Sequence, residues 1–247
     1  MTRLTIVSLC AALAMLPVEA SSATLKKSGD ITDAKIEAYL MNHPEVLRRA
    51  LANMQGWEQQ QQMAQMRSAI SANRGAIMDV ASAVVAGNHD GDVTIVEFLD
   101  YNCGYCKNVA GNLDRAVAAD GKVKVILKML PILGDNSLQV AKLVLAAKEQ
   151  GADKAVKLHD ALIGYRGTVT KDVAVAEGRR IGIDMEKAVA DAAKPEIEAA
   201  IRQSMDTAKI VGIAGTPTFL LGDEVFVGAL PSEALQEKFR RARQGGG

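Results

Sequence analysis

Cys103 and Cys106, separated only by Gly104 and Tyr105, are the residues of this sequence best suited to do chemistry. Two cysteines this close cannot staple a fold, because the loop they close is too short to constrain the unfolded chain. Their reading is therefore reactivity or metal binding. The third cysteine, Cys10, lies in a segment expected to be removed: Met1 to Arg3 is a short basic start, Leu4 to Leu16 is apolar, Pro17 breaks the run, and small residues follow from Ala20 to Ala23. That pattern predicts a signal peptide over residues 1–23, too short to span a bilayer as a helix. A buried N-terminal helix is the alternative. Leu9 before Cys10 is too large for lipoprotein cleavage, so a soluble periplasmic or secreted protein without a lipid anchor is expected. In an oxidising compartment an unbridged cysteine pair is retained for a reason.

The environment of the pair favours redox chemistry. Val93 to Leu99 reads as a buried strand, and a helix is predicted from Cys103 to about Ala119. At a helix start, free backbone N–H groups and the helix dipole favour a thiolate at Cys103. Cys106 falls one turn later, more buried, where it can resolve a mixed disulfide formed at Cys103. Gly104 and Tyr105 lie between them and are expected to face substrate. Tyr105 holds the position that tunes the redox potential and cannot act as a cation. A structural zinc lacks ligands: there is no second cysteine pair, and His43, His89 and His159 stand at no ligand spacing from the first. No resident metal or cofactor is expected. Copper(I) on the two thiolates, with Met54, Met63 and Met66 as soft neighbours, is the competing chemistry. A redox-dead binding module is a third reading, disfavoured because both cysteines are present.

Four further residues belong with the pair. Glu97 is a carboxylate within an apolar strand, costly there unless partnered or used. Lys128, in the next apolar strand, is its expected partner, and the two together could move the proton of Cys106. Thr216-Pro217, after a glycine turn and before a strand, is a candidate cis peptide that would leave the Thr216 backbone free to pair with an extended substrate.

The elements that must position these residues follow from patterning. Thr32 to Met41 has helical character, His43-Pro44 interrupts it, and a second helix runs from Pro44 to about Ser71. Leu40, Leu47 and Met54 form one seam of a short heptad pattern, and Ile36, His43, Ala50 and Trp57 the other. The seam suits either self-association or packing on the chain's own domain. Lys122 to Met129 reads as a strand parallel to the first, giving a βαβ unit. Ser137 to about Ile210 is helical, with Thr170 and Asp184 as N-caps. A hairpin over Pro217–Leu221 and Val225–Val227, then a helix from Pro231 to Arg243, close the chain. The expected domains are a signal peptide at 1–23, a helical arm at 24–75, and a redox domain at 76–247 with a helical insertion at about 135–210. Lys plus Arg and Asp plus Glu both number 29, so nothing in the charge balance points to nucleic acid or an anionic membrane.

Glu97-Phe98-Leu99-Asp100-Tyr101-Asn102-Cys103-Gly104-Tyr105-Cys106, Lys128-Met129-Leu130-Pro131-Ile132-Leu133-Gly134 and Gly215-Thr216-Pro217-Thr218-Phe219 together resemble the DsbA-type branch of the thioredoxin superfamily. The likeness covers about Val84 to Arg243. It implies an α/β thioredoxin fold with a helical insertion, Cys103 as nucleophile, Cys106 as resolving cysteine, and Thr216 and Pro217 as the substrate edge. The preceding arm is similar to that of suppressor-of-copper-sensitivity C (ScsC) proteins, some of which form trimers through it. That likeness implies a disulfide isomerase or reductase acting on misfolded or reduced exported proteins and served by a membrane partner of the DsbD or ScsB type. A monomeric oxidase served by a DsbB-type partner, and a periplasmic copper-tolerance protein, are the alternatives.

Overall fold

The computed structural model describes residues 32–245, so the expected signal peptide lies outside the described residues. The chain divides into two compact units, with the division between Gly56 and Trp57. In the first, helix α1 (Asp33–Asn42) ends at His43, which leaves helical dihedrals, and α2 (Pro44–Ala72) begins at the proline. Pro44 costs nothing there, because the N–H it lacks would have no intrahelical acceptor. Ile36, Tyr39, Met41, Leu47, Leu51 and Met54 are all exposed, and α1 buries no residue.

The second unit is built on five strands in the order β1-β3-β2-β4-β5. These are β1 (Val84–Gly87), β2 (Val93–Leu99), β3 (Val123–Met129), β4 (Thr218–Leu221) and β5 (Glu224–Val227). β2 and β3 are parallel and central, and both read as near-continuous apolar runs because they are covered on both faces. β1, β4 and β5 are antiparallel to their neighbours. The chain crosses from β2 to β3 through α4 (Gly104–Asp120), which stops at Gly121 in the left-handed region (φ 72°), where its N–H returns to Val117 O.

Alternation along the strands separates two cores. Ile95, Leu99, Val125, Leu127 and Met129 face one side, with Val109 and Leu113 of α4 and Phe239 of the closing helix α10 (Ser232–Arg243). Val96, Phe98 and Ile126 face the other, with Ile70 of α2, Ile77 and Ala208. The insertion after β3 is five helices: α5 (Asp135–Lys148), α6 (Ala152–Ile163), α7 (Lys171–Arg180), α8 (Met185–Asp191) and α9 (Pro195–Ile210). Thr170 Oγ1 accepts from Val173 N at 3.3 Å and Asp184 Oδ1 from Lys187 N at 2.9 Å, so both expected caps operate. The α/β thioredoxin-like fold with a helical insertion is as expected. Two elements are additions: β1 and the one-turn helix α3 (Arg74–Met78). β1 is an edge strand of four residues whose Gly87 has φ 67° and lies so near Val123 O that a Cβ would stand 2.5 Å from it.

Candidate active site

The turn Asp100–Asn102 carries the chain from β2 into α4, and Cys103 is the N-cap of that helix. Cys103 N donates to Asp100 O at 3.0 Å. Its thiol, 7% exposed, donates to Thr216 O at 3.2 Å. The antiparallel pairing of Phe98 with Thr218 brings this carbonyl to the end of β2, and the Thr216–Pro217 peptide is cis. Cys106, one turn on, is fully buried, and both cysteines are free thiols. Burial pushes the Cys106 thiol up, and the neighbouring Glu97 charge and Cys103 add to it. The pair thus has an edge sulfur within reach of a partner and a shielded one behind it. Between them, Gly104 opens onto free space and Tyr105 is exposed.

Glu97 points to the Cys106 side of the sheet, in register with Leu127 and Phe219. It is buried, and among the described residues it forms no ion pair. Burial raises its carboxyl to about 8, with the charge of Asp114 adding to the effect. The expected Glu97–Lys128 pair does not form. Lys128 is in register with Phe98, so it projects from the opposite face of the sheet. There its Nζ donates to Asp79 O at 2.7 Å and Ser82 Oγ at 2.8 Å. Burial lowers it to about 8, against the pull of Asp79. Met66 packs against the core on the face opposite Cys106, and among the described residues no cluster of His, Cys, Asp or Glu could hold a metal ion.

Four side chains that the sequence reading left unused build the frame of the site. Asp100 is buried and accepts from Asn102 N (2.8 Å), Ser137 Oγ (2.6 Å) and Leu133 N (3.0 Å). Asn102 pairs with the Val169 backbone in both directions: Oδ1 accepts from Val169 N at 2.7 Å and Nδ2 donates to Val169 O at 3.1 Å. Tyr101 Oη and His159 Nδ1 of α6 are 3.1 Å apart in the core, where burial lowers the imidazole to about 4 and leaves it neutral. The Asp-x-Asn spacing ahead of Cys103 is a local turn signal that could have flagged Asp100. His159 and Val169 carry no such local sign.

Residues 94–240 match the DSBA-like thioredoxin domain family. Among solved structures, a thioredoxin-like oxidoreductase of Silicibacter pomeroyi is 38% identical (TM-score 0.66), covering 70% of this chain and 98% of that one. The thiol-disulfide exchange protein alpha-DsbA2 of Wolbachia pipientis is 32% identical (TM-score 0.66), covering 71% and 95%. A linker-deletion mutant of Proteus mirabilis ScsC, 20% identical, shares the fold over 88% of this chain and 99% of that one (TM-score 0.72). The chain spans about a quarter of the length of the curated relatives it matches: a Na(+)/H(+) antiporter, NhaA 3, of Salinispora tropica is 25% identical, with 68% of this chain and 27% of that protein aligned. With more than half of its length matched, the chain belongs to the DSBA-like thioredoxin domain family.

Proposed function

We propose that this protein catalyses thiol–disulfide exchange on other polypeptides, with Cys103 as nucleophile and Cys106 as resolving cysteine. The observation that carries the reading is the Cys103 thiol at the start of α4, 3.2 Å from Thr216 O, with Cys106 fully buried behind it. In the reductive direction the Cys103 thiolate attacks one sulfur of a substrate disulfide, and that S–S bond breaks as a Cys103–substrate disulfide forms. The departing substrate sulfur leaves as a thiolate and takes a proton from solvent. Cys106 then gives up its proton and attacks Cys103 Sγ, releasing the second substrate thiol and leaving a Cys103–Cys106 disulfide. Two electrons pass to the substrate; the reverse sequence oxidises a dithiol.

Cys106 cannot ionise readily where it lies, so its proton needs an acceptor at that step. Glu97 is the candidate: a carboxyl held at about 8 is neutral or ionised according to small changes near physiological pH. Thr216, Pro217, Gly104 and Tyr105 form the substrate edge, with Thr216 O free to pair with an extended segment once the thiol has reacted. Lys128 holds the loop before β1 instead of serving the cysteines.

We favour isomerase or reductase action on misfolded exported proteins, in the periplasm, with a membrane reductase restoring the dithiol. The exposed apolar residues of α1 and α2, from Ile36 to Met54, support an arm that assembles copies of the chain into a trimer. Recovery of native activity from a scrambled disulfide protein, by a chain of measured oligomeric mass, tests this. Recovery by a trimer supports it. Rapid oxidation of reduced peptides by a monomer, without recovery, would make the protein a dithiol oxidase. The copper-tolerance reading requires Cu(I) binding that both C103S and C106S abolish.

A further inference from the structure

The loop between α6 and α7 is fastened to the active site from both sides of the cysteine pair. Asn102, just before Cys103, makes the two-way pairing with Val169. Lys107, just after Cys106, donates through Nζ to Tyr165 O at 3.0 Å and Gly167 O at 2.6 Å. An open cleft of about 840 Å³ lies between this loop and the start of α4. Its walls include Gly104, Lys107, Asn108, Asn136, Arg166 and Thr168. The size suits a peptide segment, and it begins at the residue adjoining Cys103.

The chemistry of the walls is one-sided. Lys107 and Arg166 are the only charged side chains among the residues lining the cleft, and both are cations, in a chain whose formal charge is zero. Arg166 is exposed and, among the described residues, has no ion-pair partner. Of the carboxylates close in sequence to the lining, Asp100 is buried beneath the turn with its oxygens taken by three donors, and Asp135, Asp160 and Asp172 are exposed but do not line the cleft. Along this lining a segment meets two cations and neutral amides, with no carboxylate to repel an acidic side chain or attract a basic one.

We propose that this cleft receives the polypeptide adjoining the substrate cysteine and selects segments carrying Asp or Glu, with Arg166 and Lys107 as specificity-determining residues. The proposal rests on Cys103 exchanging with protein disulfides. A mixed disulfide at Cys103 holds one end of the substrate beside Gly104, whose lack of a side chain leaves the way into the cleft open. The fastening by Asn102 and Lys107 means the loop is already formed before substrate arrives, so little ordering is required on binding.

Three disulfide peptides of one core sequence, flanked by Asp-Asp, Ser-Ser or Lys-Lys, test it, alongside 2-hydroxyethyl disulfide, which has no flank. The ratio of kcat/KM for the Asp and Lys peptides is taken within each protein, so any general loss of activity cancels. The full chain is expected to prefer the Asp peptide roughly fivefold or more at low salt, with the preference shrinking towards unity in 1 M salt. R166E, which leaves Lys107 to offset the new carboxylate, is expected to bring the ratio to about unity, and R166Q, which leaves Lys107 as the one cation of the lining, to lower it part of the way. Equal rates for the three peptides, with 2-hydroxyethyl disulfide exchanged normally, would overturn the acidic preference alone. A preference that survives R166E would overturn the assignment to this cleft. Failure to exchange even 2-hydroxyethyl disulfide would instead bring down the thiol-exchange reading on which the proposal stands.

Discussion

Replacing Glu97 by glutamine should change how stability depends on pH, in a direction and by an amount that the burial of the carboxyl sets. In the unfolded chain this carboxyl titrates near 4.5, and in the folded protein burial and Asp114 hold it to about 8. The folded state therefore binds the proton more tightly. Between those two pH values it holds a proton that the unfolded chain has released, so stability falls as pH rises through the window. Glu97 supports folding fully below pH 4.5 and loses that support progressively up to about 8. At 1.36 kcal/mol per pH unit, the loss specific to Glu97 between pH 5 and pH 8 is about 3–4 kcal/mol. A glutamine side chain has nearly the same shape and does not titrate, so E97Q lacks this slope whatever constant offset its buried amide adds. Urea unfolding of the reduced protein and of reduced E97Q, each at pH 5 and pH 8, measures the double difference. Groups common to both proteins, including Lys128, cancel. Two parallel stability curves would show that Glu97 ionises in place at its ordinary pH, and the proton-acceptor role assigned to it would fall with the result.

Lys128→Met tests the opposite sign on the opposite face of the sheet. Burial lowers this amine from 10.5 to about 8, so the folded protein sheds the proton first and wild-type stability gains about 2 kcal/mol between pH 8 and pH 10 relative to the variant; unfolding at the two pH values checks it, and no relative gain would contradict the buried placement. Asp100→Ala leaves the Asn102 and Leu133 N–H groups and the Ser137 hydroxyl without their acceptor, and should cost about 3 kcal/mol. The same variant should slow exchange, because the turn before Cys103 loses its tether, and urea unfolding with a peptide-exchange assay measures both effects.

Much of the frame was legible because it rests on local rules. The near-continuous apolar runs of β2 and β3, the proline at the start of α2, the caps Thr170 and Asp184, and the Cys103 helix start are each decided within a few neighbouring residues. What failed was parity between strands. Glu97 and Lys128 sit in adjacent parallel strands, and no residue pattern in either says which positions align. A displacement of one residue puts Lys128 beside Phe98 instead of Glu97 and sends it through to the other face. The Asn102–Val169 and Tyr101–His159 contacts join segments 67 and 58 residues apart, so their partners emerge only once α6 and its loop are folded over the site. β1 was missed because a four-residue edge strand ending in glycine carries too short a pattern to separate from a loop.

The central claim is that Cys103 is the sulfur that meets the substrate and Cys106 the one that releases it. C106S removes the resolving thiol and leaves Cys103 in place. Incubated with a disulfide-bonded peptide at neutral pH, C106S is expected to accumulate a one-to-one mixed disulfide, mapped to Cys103 by peptide mass spectrometry and lost on adding reductant. Wild type under the same conditions should release the peptide and carry the Cys103–Cys106 disulfide instead. An adduct that fails to form on C106S, or that forms on Cys106 in C103S at a comparable rate, would contradict the account.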